Sequence, residues 1–157
     1  MHYNSDKLLQ EAVRQHLSDF AYEGCFGVTL TLKQYENGCK LDAEGAPRWI
    51  RLLLNRLNTQ FYGKAFRRFG KRLRVVSSYE YSATGRLHYH LALENPYPDS
   101  PHTFESMIRA NWAMCPYAHQ QVHVHQKIDS GWMNYITKTR SAGDSVDWLN
   151  SPKNCRA

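Results

Sequence analysis

The chain has 157 residues, 42% of them hydrophobic, 13% aromatic and 22% charged. That length supports one core burying roughly 70% of the unfolded surface, the apolar content excludes a disordered chain, and no apolar run approaches the ~18 residues of a membrane span. Twenty Lys and Arg against fourteen Asp and Glu leave a net charge of +6, a balance that favours a polyanionic partner.

In chain order, residues 5–20 place Leu8, Leu9, Ala12, Val13, Leu17 and Phe20 at helical spacing behind Ser5 as a cap. FGVTLTLK (26–33) alternates Val28, Leu30 and Leu32 against Thr29, Thr31 and Lys33, a strand with one polar face. After a loop containing Asn37 and Gly38, residues 47–62 form a helix that opens on Pro47, carries the stripe Ile50, Leu53, Leu54, Leu57, Phe61 and stops at Gly63. Residues 73–82 and 86–93 read as two strands of a hairpin joined by Ala83-Thr84-Gly85. NPYPDSP (95–101) is a loop, and Thr103 caps a helix to about Met114. QVHVHQKI (121–128) alternates as a last strand, and a short helix follows from Asp129 or Ser130 through Tyr135 to Lys138. This order predicts an α+β fold with helices packed on an antiparallel sheet. The start of the chain has no apolar signal core, and Cys25, Cys39, Cys115 and Cys155 form no Cys-x-x-Cys pair. Both features point to a cytoplasmic protein with reduced thiols.

The chemistry gathers around His88-Tyr89-His90. Side chains alternate across a sheet, so both histidines share a face and can share a metal ion. A histidine pair in a strand is by itself an ordinary surface feature; the hairpin supplies the context. If Gly85 takes the left-handed position of a three-residue loop, Ser82 pairs with Arg86 and Glu80 falls opposite His88. A two-residue loop would put Glu80 on the other face. In the first register Glu80, His88 and His90 form a mixed oxygen and nitrogen donor set suited to Mg²⁺ or Mn²⁺, with Zn²⁺ the alternative. Downstream, Tyr135-Ile136-Thr137-Lys138 sets a phenol and an ammonium on one helical face, and the cation favours the phenolate that nucleophilic attack requires.

Taken together, FGVTLTL, RLHYHLAL and, about 45 residues further on, YITK resemble the HUH (His-hydrophobic-His) endonucleases. Within them the chain is most similar to rolling-circle replication initiators of plasmids and filamentous phages, over roughly residues 26–140. The resemblance implies a ferredoxin-like central sheet carrying His88 and His90 as metal ligands, Tyr135 as nucleophile and Lys138 as helper cation. Glu80 is the candidate third ligand on register. Metal-dependent nicking of single-stranded DNA at a replication origin through a 5′-phosphotyrosine is the implied activity. Thr139 and Gly131 stand where a second tyrosine would be, so a single-tyrosine reaction is expected. No helicase-type phosphate loop is present, so a host helicase and a polymerase are the expected partners. Single-tyrosine transposases share the motif order but typically carry Gln in place of Lys. A non-catalytic nucleic-acid-binding α+β module is the alternative from another class.

The domain reading is one origin-nicking unit over 1–157, its core about 24–140 between an N-terminal helix and a polar tail. KAFRRFGKRLR (64–74) interleaves Lys64, Arg67, Arg68, Lys71, Arg72 and Arg74 with Phe66 and Phe69, a pattern suited to phosphates and unstacked bases. Thr29 and Thr31 are candidates to line the DNA face. His123-Val124-His125 repeats the His-x-His pattern without a glycine turn or an acidic partner. His2, His16, His102 and His119 read as surface residues, and Trp49, Trp112 and Trp132 as core.

Overall fold

The computed structural model describes residues 8, 11–12, 14–15, 20, 22–42 and 44–136. Leu8, Glu11, Ala12, Arg14 and Gln15 are helical, whereas Phe20, at the end of the segment expected to be helical over 5–20, is not; the other residues of that segment, Lys138 and the polar tail lie outside the described residues. The elements are β1 (Cys25–Leu32), β2 (Tyr35–Glu36), β3 (Cys39–Lys40), α1 (Ala46–Tyr62), α2 (Lys64–Phe69), β4 (Val75–Tyr81), β5 (Leu87–Glu94), α3 (Pro101–Ala113), β6 (Ala118–His125) and α4 (Ser130–Ile136). Four strands form one sheet in the order β4-β5-β1-β6, and every neighbouring pair is antiparallel. The expected α+β architecture is the observed one. No helix among the described residues is long and apolar enough to cross a membrane.

Alternation divides the sheet into two faces. Phe26, Val28, Leu30 and Leu32 of β1 join Leu87, Tyr89, Leu91 and Leu93 of β5 under the apolar stripes of α1 and α3, where Ile50, Leu53, Leu57, Phe104, Ile108 and Trp112 are all buried. Gly63, with φ of 55°, ends α1 as expected. Two elements escaped the sequence pattern. Residues 64–69 form a six-residue helix inside the basic run, and residues 35–40 form a two-stranded ribbon. Both are too short to show periodicity, and α2 buries none of its residues.

The opposite face carries a smaller cluster: Val76, Ala92 and Ile136 are buried there, with Phe20, Ile128, Trp132 and Met133 packed around them. Three rows cross this face by backbone register: Val76, Ala92, Gly27 and His125; Ser78, His90, Thr29 and His123; Glu80, His88 and Thr31. Trp132, on α4, is partly buried against this second cluster.

The approach of α4 depends on one missing atom. A Cβ on Gly27 would lie 2.6 Å from Ile128 Cγ2 and 2.9 Å from Trp132 Cε2, closer than van der Waals contact permits. Gly27→Ala is expected to lower stability by about 1–3 kcal/mol through overpacking, read as a lower urea midpoint at unchanged slope. Ile128→Ala should cost less in that background than in the wild type, because it removes the nearest obstructing atom. An unchanged midpoint would show that α4 shifts freely.

Candidate functional site

The hairpin turn sets the site's register. Gly85 has a φ of 80°, Gly85 N–H donates to Ser82 O at 2.9 Å, and Ser82 N–H donates to Arg86 O at 2.8 Å. These bonds close the three-residue loop, and Glu80 pairs with His88 across the strands. Tyr79 turns to the core face, its ring 5.7 Å from that of Tyr89, whereas Tyr81 near the turn stays exposed.

The Glu80 carboxylate does not stay with its backbone partner. Its Oε1 lies 2.8 Å from Nε2 of His90, the diagonal neighbour, and His90 is buried. Long side chains reach such diagonals on a twisted antiparallel pair. Each imidazole is held from behind by β1: Thr29 Oγ1 lies 3.0 Å from His90 Nδ1, and Thr31 Oγ1 lies 2.9 Å from His88 Nδ1. Thr31 is 1% exposed, so histidine is what its hydroxyl touches. The two threonines were legible as a polar strand face, but their role needed the pairing of β1 with β5.

A hydroxyl both donates and accepts, so Thr29 can serve either tautomer of His90. With Nε2–H donating to Glu80, Nδ1 accepts from Thr29; with Nε2 presented as a lone pair, Nδ1–H donates to it. Nε2 of His88 has no partner among the described residues. This donor set, two imidazole nitrogens and a carboxylate on one face, fits a divalent cation. Glu80 Oε1 and His90 Nε2, 2.8 Å apart, are hydrogen-bonded to each other. The third donor is not drawn in: no group of three His, Cys, Asp or Glu among the described residues stands in metal-holding geometry.

From α4, Tyr135 brings its hydroxyl to 3.5 Å from Glu80 Oε1, with its ring edge-on to His90 at 5.3 Å. Tyr135 is half exposed, while Ile136 beside it is buried in the second cluster. Burial raises the Tyr135 pKa above the usual phenol value, and the charge of Glu80 and the hydrogen bond to it raise it further. Trp132, with its ring 6.0 Å from Tyr135 and 5.4 Å from His125, backs the tyrosine.

The remaining sequence candidates are more dispersed. The basic run leaves α1 at Gly63 and enters β4 at Val75, at the other end of that strand from Glu80. Lys64, Arg67 and Arg68 are exposed on α2, and Lys71 is exposed just after it. Arg72 stacks over Phe66 at 4.8 Å, and Arg74 meets Glu94 at 3.6 Å and Phe20 at 5.7 Å. His123 and His125 share the face of His90, but β1 stands between them and it. His119, read as a surface residue, is half-buried and lies 3.0 Å from Arg86 Nη1. Neither Arg86 nor His119 was singled out from the sequence, although alternation from His88 puts Arg86 on the site's face.

His88 is held below the ordinary imidazole pKa, chiefly by burial, then by the charge of His90; Glu80 opposes, and Arg86 and His119 add to the lowering. The unfolded chain therefore takes up a proton where folded His88 still resists, so this group's contribution weakens the fold as pH falls through the imidazole range. The His88 resonance should titrate below that of a histidine in the denatured chain, and His88→Gln should flatten the acid limb of the stability curve. A midpoint at or above the denatured value would remove the burial argument.

A sequence profile of replication-associated proteins, of the ORF2 and gene 2 protein type, matches residues 25–149, most of the chain. Comparison with curated proteins and with solved structures found no match. The matched span contains the hairpin, both threonines and the tyrosine helix that meet on the second face of the sheet. The chain belongs to this family of replication-associated proteins, consistent with a rolling-circle replication initiator of the HUH type.

Proposed function

We propose that this chain nicks and rejoins single-stranded DNA at a replication origin, with Tyr135 as nucleophile and His88, His90 and Glu80 as ligands of a divalent metal ion. One observation carries the reading: the Tyr135 hydroxyl lies 3.5 Å from a carboxylate oxygen that is itself 2.8 Å from His90 Nε2. Three separate elements converge there on an open face. Membership of a replication-associated family favours initiation over transposition.

In the proposed reaction Tyr135 Oη attacks the scissile phosphorus. The new O–P bond forms as the bond from phosphorus to the 3′ oxygen breaks, leaving a 5′-phosphotyrosine and a strand end that takes a proton from water to become a 3′-OH. That end can prime a polymerase, and the covalent link keeps the bond available for rejoining. Glu80 Oε1, 3.5 Å from the Tyr135 hydroxyl, is the proposed acceptor of the phenolic proton. A bound Mg²⁺ or Mn²⁺ would supply charge neutralisation at the scissile phosphate. Neutralising Glu80 also removes the second cause of the raised Tyr135 pKa, so a cation at this site favours the attacking form. Thr29 and Thr31 orient the imidazoles, and Lys138, beyond the described residues, follows Tyr135 as the helper cation. A host helicase and a polymerase complete the proposed reading as partners.

Wild-type protein incubated with labelled single-stranded origin DNA and Mn²⁺ should form an adduct that survives a denaturing gel. Tyr135→Phe should lose it while binding DNA within about threefold of wild type. Chelator should stop cleavage and Mn²⁺ restore it, with His88→Ala and His90→Ala inactive. An adduct in Tyr135→Phe would move the nucleophile elsewhere, and full activity in excess chelator would remove the metal. Separately, Thr31→Val should cost roughly 10–100-fold in metal affinity or activity, as loss of a group that orients a ligand does; wild-type metal affinity would reduce Thr31 to a packing residue.

A further inference from the structure

The end of the open face beyond His88 holds a polar pair that the proposed reaction leaves unused. Arg86 follows the turn glycine, two residues before His88, and Arg86 Nη1 lies 3.0 Å from Nε2 of His119 on β6. Ala118 packs into the main core, so its neighbour His119 turns to the face of the histidine site. A strand rises ~3.3 Å per residue, so Arg86, just ahead of β5, stands ~7 Å from His88 along the line of that strand and on the same face.

The pair is poorly matched as it stands. Nδ1 of His119 lies 3.1 Å from the backbone N–H of Gln121, which can only donate. Nε2 faces a guanidinium, which also only donates. A neutral imidazole has one lone pair, so it cannot accept from both. Basic side chains elsewhere in the fold are matched with carboxylates: Lys33 with Glu36 at 2.9 Å, Arg74 with Glu94 at 3.6 Å and Arg109 with Glu105 at 2.9 Å. Among the described residues Arg86 has no carboxylate partner. An acceptor set between Arg86 and His119 resolves the conflict. Nδ1 then accepts from Gln121, Nε2–H donates to the acceptor, and the guanidinium donates to it as well.

We infer that Arg86 and His119 form a phosphate-binding pair that seats a backbone phosphate of the DNA strand beside the His88–His90 site. The inference rests on the single-stranded DNA reading above, but not on its chemistry. Guanidinium to phosphate is a charge-assisted contact with matching geometry, and the half-buried imidazole adds a directional donor without adding net charge.

The test is binding of a labelled single-stranded DNA oligonucleotide across a salt series, with wild type, Arg86→Gln, Arg86→Lys and His119→Ala compared. Arg86→Gln should weaken binding about tenfold and reduce the magnitude of the salt slope by ~0.7, the value of one single-strand phosphate contact. Arg86→Lys should keep the slope. His119→Ala should weaken binding with the slope intact, because a neutral donor releases no counterion, and it remains informative if Arg86→Gln fails to fold. Wild-type affinity and slope in a folded Arg86→Gln would overturn the inference. So would calorimetric binding of inorganic phosphate that depends on Arg86 while DNA affinity does not, which would mark a site for free anions. These titrations read binding alone, so they are judged independently of the adduct gel that tests nicking.

Discussion

The candidate site depends on how closely α4 lies against the middle of the sheet. At Gly27 the helix side of β1 carries no side chain, and Ile128 and Trp132 occupy the space a Cβ would need. Ile136 then reaches Ala92 and Val76, two and three strands away from β6, and the residue before it, Tyr135, is delivered to Glu80 and His90. The main core on the opposite face holds the sheet rigid but places none of these groups. The proposed chemistry therefore sits on the smaller cluster, where α4 and Ile128 close on the sheet at Gly27.

The second constraint is electrostatic. Glu80 is shared between an imidazole and a phenol, and its charge adds to burial in raising the Tyr135 pKa. The threonines make the arrangement tolerant, because a hydroxyl can follow the imidazole from one tautomer to the other without a side chain having to move.

Positive charge is distributed less simply than the run over residues 64–74 suggests. Arg72 and Arg74 have aromatic and carboxylate neighbours within the fold, while Arg67 and Arg68 stand on an exposed helix packed beside α1. Arg86 is a single arginine with no basic neighbours in sequence, yet it shares the face of the histidines. Density of charge along a chain says where cations are frequent; which of them meet a substrate depends on the face to which each is turned.

The sequence by itself determined what is local. The alternation of Val28, Leu30 and Leu32 with Thr29 and Thr31 defines the two faces of β1, and the period of Ile50, Leu53, Leu54 and Leu57 defines the buried stripe of α1. Gly85 pointed to a three-residue loop, and of the two registers the hairpin allowed the structure takes the one that puts Glu80 on the histidine face. What only the tertiary structure decided is which side chains complete these features from elsewhere. The lean of Glu80 toward His90, the threonines behind the imidazoles and the partnership of Arg86 with His119 all join residues from different strands. Each depends on the order β4-β5-β1-β6, and strand order is a property of the whole core that no local pattern encodes.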